Sequence, residues 1–366
     1  MPEYLAWRHL LKQVLPALLL ATLAGLAARH FQLPLPWMLG PLFVMAVLRT
    51  AGARLSAPAG GRQAGQWAIG TALGLYFTPT VIDELSRHTG AIVLMAGSAV
   101  IFGLLAAGLI QRWGKVSPAT AFFAGLPGGA SEMVVLAERH GGTPDRVAAA
   151  HALRVMLVVS LIPFALHHGA NVGHEQFRAL ATGVDWSRFP LLVAASLAGV
   201  VLFLKLRIAN AWVLGPLIVI GLLTACGQAL SGLPHWLVNG GQLLLGTALG
   251  SRFSPAFFHV APRFLSVSAL STGLTLLLCG LFVAALGTLI PIPVASLLLS
   301  ASPGGMAEMS ITAREMHLSV PLVTATHVLR VVLLTVCAPL VCQWYLQTMG
   351  TIVKSDRNNN DNRLDQ

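Results

Sequence analysis

Two short stretches carry almost all the unusual chemistry of this 366-residue chain: "LPGGASEM" from Leu126 to Met133 and "SPGGMAEM" from Ser302 to Met309. Each sets a proline and two glycines three residues ahead of an acid, Glu132 or Glu308, within apolar surroundings. Each is followed by a histidine and an arginine spaced i, i+3 on one helical face, His151 with Arg154 and His327 with Arg330. Pro127 has no amide hydrogen and Gly128 with Gly129 resist helix, so a helix must break there; Pro303, Gly304 and Gly305 impose the same break. The half-helix that starts after each break aims free N–H groups at whatever lies beyond it, a suitable environment for an anion.

Two readings of the charges stand. In one, Glu132 with Arg154 and Glu308 with Arg330 are internal ion pairs that brace the broken segments. In the other they surround a polar cavity, the arginines and helix N-termini attracting an anion while the glutamates carry a coupling proton or cation. An ionisable group inside a membrane is costly and is a functional hypothesis by default. The histidines could pass a proton or be held by hydrogen bonds alone.

The surroundings are those of a membrane. Hydrophobic residues make up 55% of the chain and charged residues 10%, with mean hydropathy +0.75, against roughly 25% charged in soluble domains. No Asp, Glu, Lys or Arg lies between Arg207 and Arg252 or between Arg263 and Glu308, gaps that each accommodate two helices of about 20 residues. The net charge of +10 is spread over short loops, not gathered on a face, which follows the positive-inside bias and excludes nucleic acid as a partner. Cys226, Cys279, Cys337 and Cys342 stand apart in apolar stretches and read as packing residues. His167, His168 and His174 fit no metal-site spacing, and no hydrolase, zinc or nucleotide motif is present. The chain is thus expected to be no enzyme and to need no cofactor or metal.

The doubled motif belongs to a larger repeat. "GQWAIGTALG" from Gly65 returns as "GQLLLGTALG" from Gly241, and the P-G-G and H-x-L-R-V residues recur at the same offset of 176. With one residue of slippage "WMLGP" at Trp37 falls on "WVLGP" at Trp212. The expected organisation is a membrane repeat at 1–170, an extracytoplasmic linker at 171–184, a second repeat at 185–348 and a polar disordered tail at 349–366. Each repeat has six apolar segments, in the first near 13–29, 36–48, 64–78, 90–110, 118–138 and 146–167. With the N-terminus cytoplasmic, the loop lysines and arginines of both halves stay inside only if the fifth segment dips in and returns, which inverts the second repeat. The small residues of G-T-A-L-G predict close helix packing. The fold class is therefore an all-α polytopic membrane protein of two inverted repeats with broken or re-entrant helices.

The doubled W-x-L-G-P, G-T-A-L-G, P-G-G-x-x-E-M and H-x-L-R-V resemble the bacterial AbrB-type duplicated membrane protein family over nearly the whole chain. Its members carry two labels, a regulator of gene expression and an ammonia monooxygenase. More distantly, "LPGGASEMVVLAERHGG" is similar to the broken helix of bile-acid/sodium symporters and cation–proton antiporters. That likeness implies two inverted repeats whose broken helices cross at the substrate and ion site. Glu132 and Glu308 stand where a Ser-Asn type pair is expected, which favours a proton over sodium. The resemblance implies a multi-pass protein of the bacterial inner membrane, a secondary transporter of a small anionic organic solute. The alternative is a membrane sensor that regulates gene expression through a partner protein. Expected partners are the lipid bilayer, a small-molecule solute and, in a homo-oligomer, further copies of the chain. The solute site implied comprises Pro127, Gly128, Gly129, Glu132, His151, Arg154 and their equivalents Pro303, Gly304, Gly305, Glu308, His327 and Arg330.

Overall fold

The computed structural model describes residues 10–169, 183–228, 230–253, 255, 257 and 262–364, and among them every regular element is helical. The first repeat supplies α1 (Leu15–His30), α2 (Pro36–Thr50), α3 (Gly61–Gly74), the short α4 (Pro79–Arg87), α5 (Thr89–Gly114), α6 (Pro118–Gly125), α7 (Ala130–Arg139) and α8 (Pro144–Gly169). The second supplies α9 (Phe189–Lys205), α10 (Ala211–Ala225), α11 (His235–Gly250), α12 (Pro262–Gly287), α13 (Val294–Ala301), α14 (Met306–Glu315) and α15 (Val320–Leu364). Among the described residues five stretches are long and apolar enough to span a bilayer: Leu10–His30, Thr89–Gly114, Pro144–Leu166, Pro262–Gly287 and Val320–Gln347. The linker expected at 171–184 falls almost wholly outside the described residues. At the other terminus α15 runs helical through Leu364, where composition predicts a disordered tail from 349; no proline follows Pro339 to interrupt it.

The fifth segment of each repeat is a re-entrant hairpin. Its start and finish are tied together: the Thr143 amide donates to Thr120 Oγ1 at 2.9 Å, and the Ser319 amide to Ser296 Oγ at 3.2 Å. Since α6 and α7 leave and return at the same end, α8 begins where α5 stopped, and the first repeat runs from end to end five times, along α1, α2, α3, α5 and α8. The crossing geometry implied by the symporter likeness is therefore not adopted. The second repeat is inverted, and long-range contacts confirm the register. Arg49 reaches the Ser251 carbonyl, Arg263 the Trp113 carbonyl, and Tyr345 donates to Gln111 Oε1 at 2.6 Å. One end of the molecule thus gathers Arg49, Arg62, Arg112, Arg252 and Arg263, whereas Asp83, Glu84 and Asp185 lie at the other.

The helices sort into two bundles, each built from both repeats. The first three helices of each repeat, α1 to α3 with α9 to α11, pack on one another, and α5 to α8 pack with α12 to α15. The six-helix bundle is locked by a reciprocal exchange. A Cβ on Gly70 would strike the Val213 carbonyl of W-V-L-G-P, and one on Gly246 would strike the Met38 carbonyl of W-M-L-G-P. Each G-T-A-L-G therefore seats on the W-x-L-G-P of the opposite repeat, at a separation only glycine allows. Because the obstacle is backbone, neither partner can yield, and Gly246→Leu is expected to cost more than the about 1–3 kcal/mol of ordinary overpacking. The check is a thermal melt of the detergent-purified variant beside Gly240→Leu, whose Cβ would meet open space and which should melt as the parent does.

Candidate functional site

The breaks come from local chemistry. Ser117 caps α6 by accepting from the Thr120 amide, and Pro118 occupies its first turn. Leu126 and Ser302, each preceding a proline, are extended at ψ 133° and 145°, which ends α6 and α13. The chain restarts as α7 and α14 from extended Gly129 and Gly305. The motif's methionine folds back over its glycine. Met133 and Met309 are fully buried, and a Cβ on Gly128 or Gly304 would collide with them.

Entering from opposite ends, the two tips meet. Pro127 to Ala130 and Pro303 to Glu308 line one cleft between the bundles. Its opposite wall comes from the six-helix bundle: Arg62 and Gln66 on α3, Asn210 just before α10, and Arg252 just after α11. These wall residues belong to the arginine-rich end, so the cleft is approached from there. The N-termini of α7 and α14 both face into it, each with four backbone N–H groups lacking intrahelical partners.

His151, Arg154 and Arg330 lie along the cleft, but His151 Nε2 and the terminal nitrogens of both arginines are engaged by the broken helices. His151 Nε2 donates to the Phe123 carbonyl at 3.0 Å, and Arg154 donates through Nη1 to the Leu126 carbonyl at 2.9 Å and through Nη2 to that of Ala124. In the second repeat His327 Nε2 donates to the Leu299 carbonyl at 3.0 Å, and Arg330 donates to the carbonyls of Ser302 and Gly304. The histidine and arginine of H-x-L-R therefore cap the carbonyl end of the half-helix beside them, where cations are favoured. His327 is fully buried and does not line the cleft.

Neither glutamate pairs with its arginine. Among the described residues the ion pairs are local ones at the surface, Arg87 with Asp83, His88 with Glu84 and Arg188 with Asp185. Glu132 instead accepts from Thr335 Oγ1 at 3.0 Å, on α15 of the other repeat, in a side recess shared with Ser131, Arg139 and Asn210. Glu308 faces the cleft itself. The bracing reading survives in altered form: the arginines brace backbone, which no side-chain pattern displays. Sequence reasoning missed Arg62, Gln66, Asn210 and Arg252 as wall residues. The two arginines served only to orient the loops, and the signal for Gln66 was its place in the repeated Gly-Gln pair.

The two ends of the inter-bundle seam differ. Gln242, which matches Gln66 in the repeat, is 1% exposed and donates to Glu315 Oε1 at 3.2 Å, joining α11 to α14. Gln66 lines the open cleft, and Arg139, the repeat equivalent of Glu315, lines the recess beside it. A sequence with near twofold internal symmetry thus adopts a structure closed at one end and open at the other.

A family model described as transition state regulatory protein AbrB matches residues 37–346, a span that includes both hairpins. The Bacillus subtilis (strain 168) protein YhjN is 26% identical over 331 residues, covering 83% of this chain and 85% of that protein. An Escherichia coli (strain K12) protein named as a regulator, AbrB, is 24% identical over 324 residues, 87% of this chain and 92% of its own.

Proposed function

We propose that this chain, which belongs to the AbrB family, is a secondary transporter of the bacterial inner membrane that moves a small anionic organic solute by alternating access. The observation that carries the reading is the meeting of two re-entrant tips from opposite ends at one cleft between two bundles. Broken backbone at membrane depth is tolerated where it lines a cavity, and paired breaks at a repeat interface mark the binding sites of repeat-built transporters. The arginine-rich end is cytoplasmic by the positive-inside rule, so the cleft faces inward. Closure of this end and opening of the Gln242 side would exchange the roles of the two repeats. Glu308, the acid in the cleft, is the group assigned to proton coupling.

The test joins binding to flux. Small anionic metabolites are screened for an increase in melting temperature of the purified protein at two pH values, and those that stabilise are followed into proteoliposomes under an imposed pH gradient. A bound anion should accumulate in parent liposomes, and Glu308→Gln should still bind it but respond to the gradient much less. A solute that binds and never moves would support the second reading, a membrane sensor that regulates gene expression through a partner protein. That reading rests on the names that the family and its Escherichia coli member carry.

A further inference from the structure

The cleft carries an imbalance of charge that defines its solute further than "anionic". Its charged lining, apart from His151, is Arg62, Arg154, Arg252, Arg330 and Glu308, four cations to one acid. Arg154 and Arg330 have both terminal nitrogens committed to carbonyls and supply field without a free fork. Arg330 nevertheless keeps a buried Nε that has no partner among the described residues. Arg62 and Arg252 are different. Among the described residues neither forms an ion pair or a side-chain hydrogen bond; the two lie near enough to repel one another, while Glu308 acts on Arg252 from within the same cleft.

Resting on the transporter reading, we propose that the solute is a dianion, a dicarboxylate or a phosphate monoester, gripped between the Arg62 and Arg252 guanidinium groups and the two hairpin tips. A guanidinium fork matches a carboxylate or phosphate face, and two forks need two such faces or one doubly charged group. With Glu308 counted, the lining carries a net charge of three (four arginines less one acid), of which a monoanion offsets one and a dianion two. The paired N-termini of α7 and α14 add backbone donors on the opposite side of the cleft.

The placement of the two arginines supports a role in selection. Their repeat equivalents are Val238 and Tyr76, so they are not part of the symmetric framework that folds the molecule. Both stand on the six-helix bundle, whereas the tips stand on the other. A dianion spanning them would contact both bodies at once, which is what coupling of solute binding to relative bundle movement requires.

The experiment is a melting-temperature titration of the detergent-purified full chain with sulfate, succinate and glycerol phosphate against nitrate and butyrate. Succinate should bind at least about tenfold more tightly than butyrate, since a charge-assisted hydrogen bond is worth about ten- to a hundredfold. The ranking of succinate against glycerol phosphate separates dicarboxylate from phosphate ester. Arg62→Gln and Arg252→Gln, at positions that are not buried, should melt like the parent without solute and lose the preference for dianions. They also reveal any general salting-out by sulfate, which would persist in both. Equal binding of succinate and butyrate, or a dianion preference unchanged in both variants, overturns the dianion inference and leaves an anion transporter standing. Absence of any response to all five anions overturns the inference together with the anionic reading beneath it.

Discussion

Arg330→Ala should fail to give a stably folded protein. Arg330 is 3% exposed and donates to the carbonyls of Ser302 and Gly304 at a buried tip. A hydrogen bond to a charged group contributes about 1.5–3 kcal/mol, and a buried carbonyl left without a donor costs about 1–3 kcal/mol. Two such losses together approach about 3–6 kcal/mol, comparable with the about 5–15 kcal/mol that holds a typical domain together. Arg330→Lys, with one compact ammonium in place of a fork, should fall between parent and alanine. Arg154→Ala should cost a comparable amount, because the carbonyls it would free belong to Leu126 and Ala124, both fully buried. Yield and melting temperature of the three variants measure the order. A native-like melt for Arg330→Ala would show that the arginine does not hold the break and return it to the solute.

A cysteine at Gln66 and one at its repeat equivalent Gln242 should react with a thiol reagent at very different rates. Gln66 borders the cleft, whereas Gln242 is 1% exposed and bonded to Glu315. In a background lacking the four native cysteines, Gln66→Cys should label readily in inside-out vesicles. Gln242→Cys in right-side-out vesicles waits for the opposite conformation. If that state lies about 2–3 kcal/mol higher, its labelling is slower by roughly thirty- to a hundred-and-fifty-fold. Glu315→Ala removes the acceptor that closes this side and should raise the Gln242→Cys rate while lowering that of Gln66→Cys, since a population gained by one state is lost by the other. Independent rates, or a Glu315→Ala effect confined to position 242, would contradict a two-state seam.

Much of this architecture is legible in the chain because the bilayer is a demanding solvent. Apolar runs of membrane length, the offset of 176, and a proline with two glycines at matching places are statements about side-chain polarity and backbone freedom, which sequence writes directly. Loop charges favour an odd number of crossings, since a fifth segment that returns keeps the arginines at one end. The partners of the motif residues are another matter. Arg154 and Arg330 could have paired with Glu132 and Glu308 by every rule of charge, yet they hold backbone carbonyls, and a carbonyl looks the same at every position in a sequence. Re-entry itself became visible only through contacts such as Thr120 with Thr143, 23 residues apart. The seating of each G-T-A-L-G on the opposite repeat's W-x-L-G-P, and the use of Arg62 and Arg252 as a cleft wall, likewise depend on how separate helices meet. Sequence alone determined a membrane protein of two homologous halves with a break in each. Tertiary structure decided what holds the breaks, which charges stay free for a solute, and which end of a nearly symmetric molecule is open, because two halves of similar sequence can take unequal conformations when each completes the packing of the other.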